Sequence, residues 1–483
     1  MTPPVLVRRT ASGALALTVV WLAGCASLPP DGGLAPVAAL TAPHLGTPLT
    51  APTSAPTSAP HTASTPRAER VAELLAQPLT ADSAVQIALL QSPVWQQRFA
   101  QLGVAEADRV AATRLPNPTL GISRSRQGDS VSLEHSVGLN LVSLLSWPVL
   151  RDLEQQQLAQ TRLDSAQAVL RLAHDVKQAW VDAVAARATR EQAERLLDAA
   201  DAARTLADRM QQAGHWSGWR RDQEASFRAE AEQALHEAQA RDITQRDRLT
   251  RLLGLPAPDA FQLPDHLPTP QAPPASPEAL GATVQQALGQ RLDVRMAQTR
   301  AEQQARALGL SRATRLVNVL DIEGFQESTT DEARKRGVAV HLELPLFDLG
   351  QSRIDQQAAR YQAALADTRA AALTAQSQVR EAWQHWRLVE ARARQQREEV
   401  LPRRQRMAEH LLQRYNGMLS SVFDLLADAR LQQQAVQQAL ALDAAAWAAH
   451  MRFELALVAD PGSAPAGPSA PSAGARGTTA PHD

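Results

Sequence analysis

Two hydrophobic rhythms alternate along this 483-residue chain. From Val338 to Leu344 every second residue is apolar, so Val338, Val340, Leu342 and Leu344 share one face of an extended strand and Ala339, His341 and Glu343 the other. Val137, Leu139 and Leu141 repeat the pattern opposite Ser136, Gly138 and Asn140. Elsewhere the steps are three and four: Val169, Ala173, Val176, Trp180 and Ala183 in one stretch, and Ala372, Ala375, Val379, Ala382, Trp386 and Val389 in another. That is coiled-coil spacing, with alanine at many seam positions to let helices approach closely. No breaker interrupts residues 150–213 or 351–401. A helix of about 60 residues extends roughly 90 Å at 1.5 Å per residue, several times the thickness of a bilayer core.

The rhythms recur. Val176-Lys177-Gln178-Ala179-Trp180 returns as Val379-Arg380-Glu381-Ala382-Trp383, and Ala88-Leu89-Leu90-Gln91 as Ala287-Leu288-Gly289-Gln290. The two offsets, 203 and 199, agree to within a short insertion, so the chain is read as an internal repeat. The expected organisation is a signal segment at 1–24, a flexible linker at 25–67, a first repeat at 68–255, a Pro-rich inter-repeat linker at 256–277, a second repeat at 278–459 and a disordered tail at 460–483. Each repeat predicts an amphipathic helix (about 80–114 and 277–315), two short strands (119–126 and 133–143; 316–326 and 335–344), a very long helix, a turn and another long helix. The fold class is mainly α with a small β part.

Composition agrees with packed helices: aromatics are 4%, and the formal charge of −1 gives no basic footprint for nucleic acid. Arg8 and Arg9 precede an apolar core, Ala14 to Ala23, that is too short to span a bilayer. The segment reads as a secretory signal. It ends in Leu22-Ala23-Gly24-Cys25, which resembles a bacterial lipobox, so Cys25, the only cysteine, is the expected site of a covalent lipid. Ala26 in place of Asp implies sorting to the outer membrane. Without the segment the chain holds 47 basic and 50 acidic residues, a charge of −3.

A strand of about ten residues, apolar on one side and polar or small on the other, suits a transmembrane barrel. Four strands cannot close, since a barrel needs about eight, so two or three copies must assemble. His341 and Glu343 lie two apart on one strand face, but no third ligand stands at metal-motif spacing, and they read as polar lumen residues. Trp147 and Phe347 fall at corresponding seams and read as interfacial aromatics or as packing at the strand-to-helix joint. No Ser/His/Asp set, P-loop, dinucleotide fingerprint or paired-acid motif has supporting context, which argues against an enzyme and against any bound cofactor beyond the lipid.

Taken in order, the repeat, Leu115-Pro116-Asn117-Pro118, Leu344-Pro345-Leu346-Phe347-Asp348-Leu349-Gly350, the two Trp segments, Pro402, and Arg414-Tyr415 followed by Ser421 and Asp424-Leu425-Leu426 resemble the TolC family of outer-membrane efflux channels. They resemble especially its lipidated branch, which works with resistance-nodulation-division pumps. The resemblance covers about 79–458. It implies a homotrimer with a twelve-stranded barrel, a long periplasmic helical tunnel, and an adaptor protein and inner-membrane pump docked at the periplasmic tip. It also implies a constriction there, for which Tyr415 and Asp424 stand on matching positions and Gly214 and Ser217 match the first tip turn. Departures are Ser420 and Ala427, where an arginine and a second aspartate are usual, and Met418 in place of the turn glycine, with Gly417 one residue earlier. Asp424 is equally readable as a helix cap. Three functions follow: an efflux exit duct for drugs or metal ions, a type I secretion duct for polypeptides, or a lipid-anchored periplasmic coiled-coil protein with no pore.

Overall fold

The computed structural model describes residues 28–46, 48–50, 65–269, 277–314, 320–329, 334–342 and 349–462. The signal segment, Cys25, Glu343, Leu344, Phe347 and nearly all of the tail lie outside them. In chain order the elements are α1 (Leu34–Leu45), α2 (Thr65–Leu75), α3 (Ala81–Gln91), α4 (Pro93–Ala112), β1 (Thr119–Gln127), β2 (Ser130–Asn140), α5 (Leu141–Gln212) and α6 (Gly218–Leu253). There follow α7 (Pro277–Gln290), α8 (Leu292–Ala313), β3 (Leu320–Thr329), β4 (Lys335–Leu342), α9 (Gln351–Gln395), a π-helical turn (Gln396–Val400), α10 (Leu401–Asn416) and α11 (Val422–Val458). Two compact units result, and each draws on both sequence repeats.

The first unit comprises 1–34, 100–161 and 299–363 and holds the whole sheet. Its four strands are antiparallel in the order β1-β2-β3-β4, so the two repeats meet at the β2–β3 ladder. A two-residue turn, Gly128-Asp129, joins β1 to β2; only Gly128 has positive φ (63°), the requirement of a type II′ hairpin. The expected strand over 133–143 stops at Asn140 and the expected helix start near 150 moves forward to Leu141. Asn140 is the physical reason: its Oδ1 accepts the Ser143 N–H at 2.7 Å, capping the first turn of α5. Trp147 therefore sits on a helix, and its indole N–H donates to the Ala112 carbonyl at 3.0 Å. Of the two readings of Trp147, packing at the joint describes this geometry.

The second unit comprises 35–99, 162–298 and 364–483. Its core follows the three-and-four spacing: Val379, Ala382, Trp383, Trp386, Val389 and Ala393 of α9 pack on Val284 and Ala287 of α7 and on Ala446, Ala449, Phe453 and Ala456 of α11. Alanines facing alanines bring backbones close, and the tryptophans fill the gaps beside them. The apolar residues of both Trp segments are buried, and Trp180 also donates its indole N–H to the Leu79 carbonyl at 2.7 Å.

Three expectations change here. Each repeat's opening helix is two helices, broken at equivalent places: Ser92 before Pro93, and Arg291. Proline forces the first break. At the second, the fully buried Arg291 guanidinium is shared among the Asp293 carboxylate (2.9 and 2.6 Å), the Ala456 carbonyl (2.9 Å) and Gln378 Oε1 (2.8 Å), a hub that fixes the bend. The segment 25–67, expected to be a linker, contains the helix α1, which buries Val37, Thr41 and Leu45, and the start of α2. Apolar burial outweighs its alanine- and proline-rich composition. Finally, the helix expected over 351–401 passes through the π-turn, where Leu401 N–H bonds Gln396 O across five residues just before Pro402, and continues to Asn416. Proline cannot take the ordinary i−4 bond, and the wider turn accommodates it.

Candidate functional site

Directly opposed residues of an antiparallel ladder share a face, so the registers assign every strand residue. Leu120, Val137, Gly324 and Val338 form one cross-sheet row, and Leu139, Ile322 and Val340 the next. Leu320 and Leu342 complete an apolar face toward the strand ends that join the helices. The opposite face carries Ser136, Gly138, Glu134, Asp321, Glu323, Glu327, Ala339, Lys335 and His341. The alternation of Val338, Val340 and Leu342 against Ala339 and His341 is as expected.

Exposure makes this pattern informative. Leu120 is 72% exposed, Val338 71% and Val340 61%, while Ser136 on the polar face is buried at 9%. A sheet in water hides its apolar face; this one presents it, while the centre of the polar face is buried or half-buried on β2 and β3 and only its edge residues, such as Ser123, Lys335 and His341, are exposed. Polar-face side chains are hydrogen-bonded to one another: Ser132 to Glu327 at 2.6 Å, and Asn140 to Asp321 at 2.7 Å. Phe325 lies over Gly337, so close that a side chain at 337 would meet its ring at 2.5 Å, which holds β3 against β4. The outer edges of β1 and β4 pair with no strand among the described residues. His341 stands opposite Asp321, and no group of three metal-ligating side chains occurs among the described residues. No described helix is long and apolar enough to cross a membrane.

The second candidate region is the pair of helical hairpin turns in the second unit. After α5, Gly214 takes φ 76° while its N–H bonds the Gln211 carbonyl at 2.9 Å and the His215 N–H bonds the Met210 carbonyl at 2.9 Å. After α10, Met418 takes φ 60°, its N–H bonds the Tyr415 carbonyl at 2.9 Å and the Leu419 N–H bonds the Arg414 carbonyl at 2.8 Å. The same backbone turn is thus built twice, 204 residues apart. The left-handed position falls on Met418, whereas Gly417 has φ −83° and ends α10. Met418 is 94% exposed.

Asp424 is the acid of a capping box: its Oδ2 accepts from the Ser421 N–H and hydroxyl, both at 2.9 Å, while Ser421 Oγ accepts the Asp424 N–H at 3.3 Å. Those bonds hold its carboxyl below the usual aspartate range. Tyr415 is partly exposed beside the turn. The hairpin ends are tied together by residues that the pattern of the sequence did not single out. Trp216 stacks on Phe423 at 4.5 Å, Arg220 lies 4.3 Å over the same ring, and Arg430 pairs with the buried Glu224 at 2.6 Å and lies 3.8 Å from the Phe227 ring centre. Each of these contacts joins one repeat to the other, across 203 to 207 residues, so no local pattern in the sequence marks it.

Between α1, α5, α7 and α11 lies a cavity of about 370 Å³, lined on its polar side by His44, His174, Lys177, Gln286 and Glu454. Burial pushes the His44 and His174 imidazoles below the ordinary range, and that of neighbouring His450 as well.

No protein-family model and no curated protein matches the chain. Solved structures do. The outer membrane protein VceC of Vibrio cholerae is 18% identical with a TM-score of 0.64, over 78% of this chain and 95% of that one. The CmeC outer membrane channel of Campylobacter jejuni is 14% identical with a TM-score of 0.67, over 78% and 85%. The open state of the MtrE outer membrane channel of Neisseria gonorrhoeae is 18% identical with a TM-score of 0.64, over 80% and 88%. This chain, largely helical with a small antiparallel sheet, has the TolC-like fold of these channels.

Proposed function

We propose that the protein is the outer-membrane exit duct of a tripartite efflux system. The observation that carries this reading is the inverted sheet: apolar side chains exposed, the acids and serines of β2 and β3 buried or half-buried, and two edges, unpaired among the described residues, that a second and third copy would close into a barrel. Hydrocarbon is the solvent that suits such a surface, and a polar interior suits a water-filled pore. The fold it shares with solved outer-membrane channels supports the same reading.

In this proposal three protomers supply twelve strands, and the helices of the second unit line a periplasmic tunnel. The hairpin turns at Gly214 and Met418 meet a periplasmic adaptor, which couples the duct to an inner-membrane pump. A lipid on Cys25 adds a second anchor. Conduction is passive and the chain carries no catalytic chemistry; cargo is a drug, a metal ion or another small molecule selected by the pump. Tyr415 narrows the tunnel mouth, and Asp424 acts there through the turn it caps.

The test is the oligomer and its conductance. Protein extracted from membranes should run as a heat-modifiable trimer in sodium dodecyl sulfate and conduct in planar bilayers. A monomer released from membranes by removing its lipid would refute the duct. In a deletion strain, lost tolerance to drugs or metals with secretion intact is expected; the converse would make it a polypeptide secretion duct.

A further inference from the structure

The apolar sheet face is not apolar throughout. Toward the hairpin turn its rows become cationic: Ile122, His135, Gln326 and Arg336 form one row, Arg124 opposes Leu133 in the next, and Arg126 opposes Val131 in the last. All three arginines are exposed. No described residue of this face is a carboxylate; the acids of the same strands, Glu134, Asp321, Glu323 and Glu327, all point to the other side. Arg126 donates to the Gly128 carbonyl at 3.1 Å and Arg336 to Gln326 Oε1 at 3.1 Å. Both partners are neutral, so these bonds orient the guanidinium groups without cancelling their charge.

We propose that Arg124, Arg126 and Arg336 bind the phosphate groups of a phosphorylated membrane lipid whose acyl chains lie on the adjoining rows of Leu120, Val137 and Val338. This rests on the membrane-spanning reading above. If the apolar rows occupy hydrocarbon, the arginine rows, successive rows being about 7 Å apart along a strand, fall at the head-group level of one leaflet. That leaflet is the one away from the long helices, which leave the opposite strand ends. Guanidinium groups are charged at any ambient pH and present forked donors that fit phosphate oxygens. Free phosphate would match the arginines but leave unexplained the continuous apolar surface beside them, whereas a lipid satisfies both.

The full-length protein, purified and stripped of lipid, is titrated with lipid A and with its dephosphorylated form, and bound lipid is counted by native mass spectrometry. Wild type is expected to retain the phosphorylated lipid, and an R124Q/R126Q/R336Q variant to bind it at least about tenfold more weakly, the loss of charge-assisted hydrogen bonds. The variant should keep its heat-stable trimer and conductance, since all three positions face outward. A conducting trimer whose lipid binding is undiminished by the triple change, or indifferent to the phosphates, overturns this proposal alone. A wild-type chain that neither trimerises nor conducts sinks the duct reading and this one with it.

Discussion

The sheet and the helical body of this protein sort the same amino-acid types in opposite directions. In the second unit Trp383, Trp386 and Val379 lie inside, and Arg380, Glu381, Arg387 and Arg394 of the same helix face out. In the sheet Val338, Val340 and Leu120 are outside, while Glu134, Glu323 and Ser136 are sheltered. One chain cannot be adapted to a single solvent on both counts. The difference therefore reports two environments, and it can be broken from either side.

The largest effect is expected in the helical core. Trp386 is buried, stacked on His450 at 4.5 Å and beside Phe453 at 5.3 Å, and Trp386→Ala should cost about 3–5 kcal/mol, read as a lowered thermal midpoint in detergent. On the sheet the same logic runs in reverse. Val340→Arg would be harmless on a surface that faces water, but should cost about 2–4 kcal/mol per protomer on one facing hydrocarbon, abolishing the heat-modifiable trimer. A fully stable Val340→Arg trimer would collapse the contrast.

Acid should strike the helical body next. Burial lowers the imidazoles of His44, His174 and His450 from 6.5, against the pull of Glu454 and with Lys177 and Arg452 adding to the lowering at individual sites. Above pH 6.5 folded and unfolded chains both hold them neutral. As pH falls through 6.5 toward 5 the unfolded chain takes up protons that the folded one resists, so the thermal midpoint should drop. Asp175 and Glu390, raised by burial, oppose this, because the folded state takes their protons before the unfolded one does. Replacing all three histidines with glutamine should flatten the profile between pH 5 and 7.

The smallest effects separate the two hairpin turns. Gly214 has open space where a Cβ would sit, so Gly214→Ala tests backbone conformation alone and should cost about 1 kcal/mol. Met418→Gly should have the opposite sign and gain about 0.5 kcal/mol, the relief of a left-handed side chain less the greater unfolded freedom of glycine. Chemical denaturation of the two variants checks the pair.

Much of this architecture is legible in the residues, and the failures have local causes. Strict alternation located the strands, because a half-exposed strand must alternate whatever solvent it faces. It overran β2, since Leu141 continues the alternation past Asn140 and the cap ends the strand there. Pro93 could have announced the first helix break, whereas the second depends on Arg291 reaching Gln378 and Ala456, partners far away in sequence. The helix α1 was hidden by a composition that reads as linker until Val37 and Leu45 find their core. At the hairpin turns Gly214, Tyr415 and Asp424 stood out, but the Trp216–Phe423 stack and the Glu224–Arg430 pair did not, because each joins the two repeats in space.

The π-turn at Gln396–Val400 has an arithmetical meaning. The repeats run 203 residues apart at Trp180 and Trp383, above the turn, and 204 apart at Gly214 and Met418, below it. The second repeat's descending helix is thus one residue longer than the first's. In an unbroken α-helix that residue would advance the hairpin end by 1.5 Å and rotate everything beyond it by about 100°, carrying Phe423 away from Trp216. A single wide turn beside Pro402 absorbs the surplus residue, and two arms of unequal length come to their ends in step.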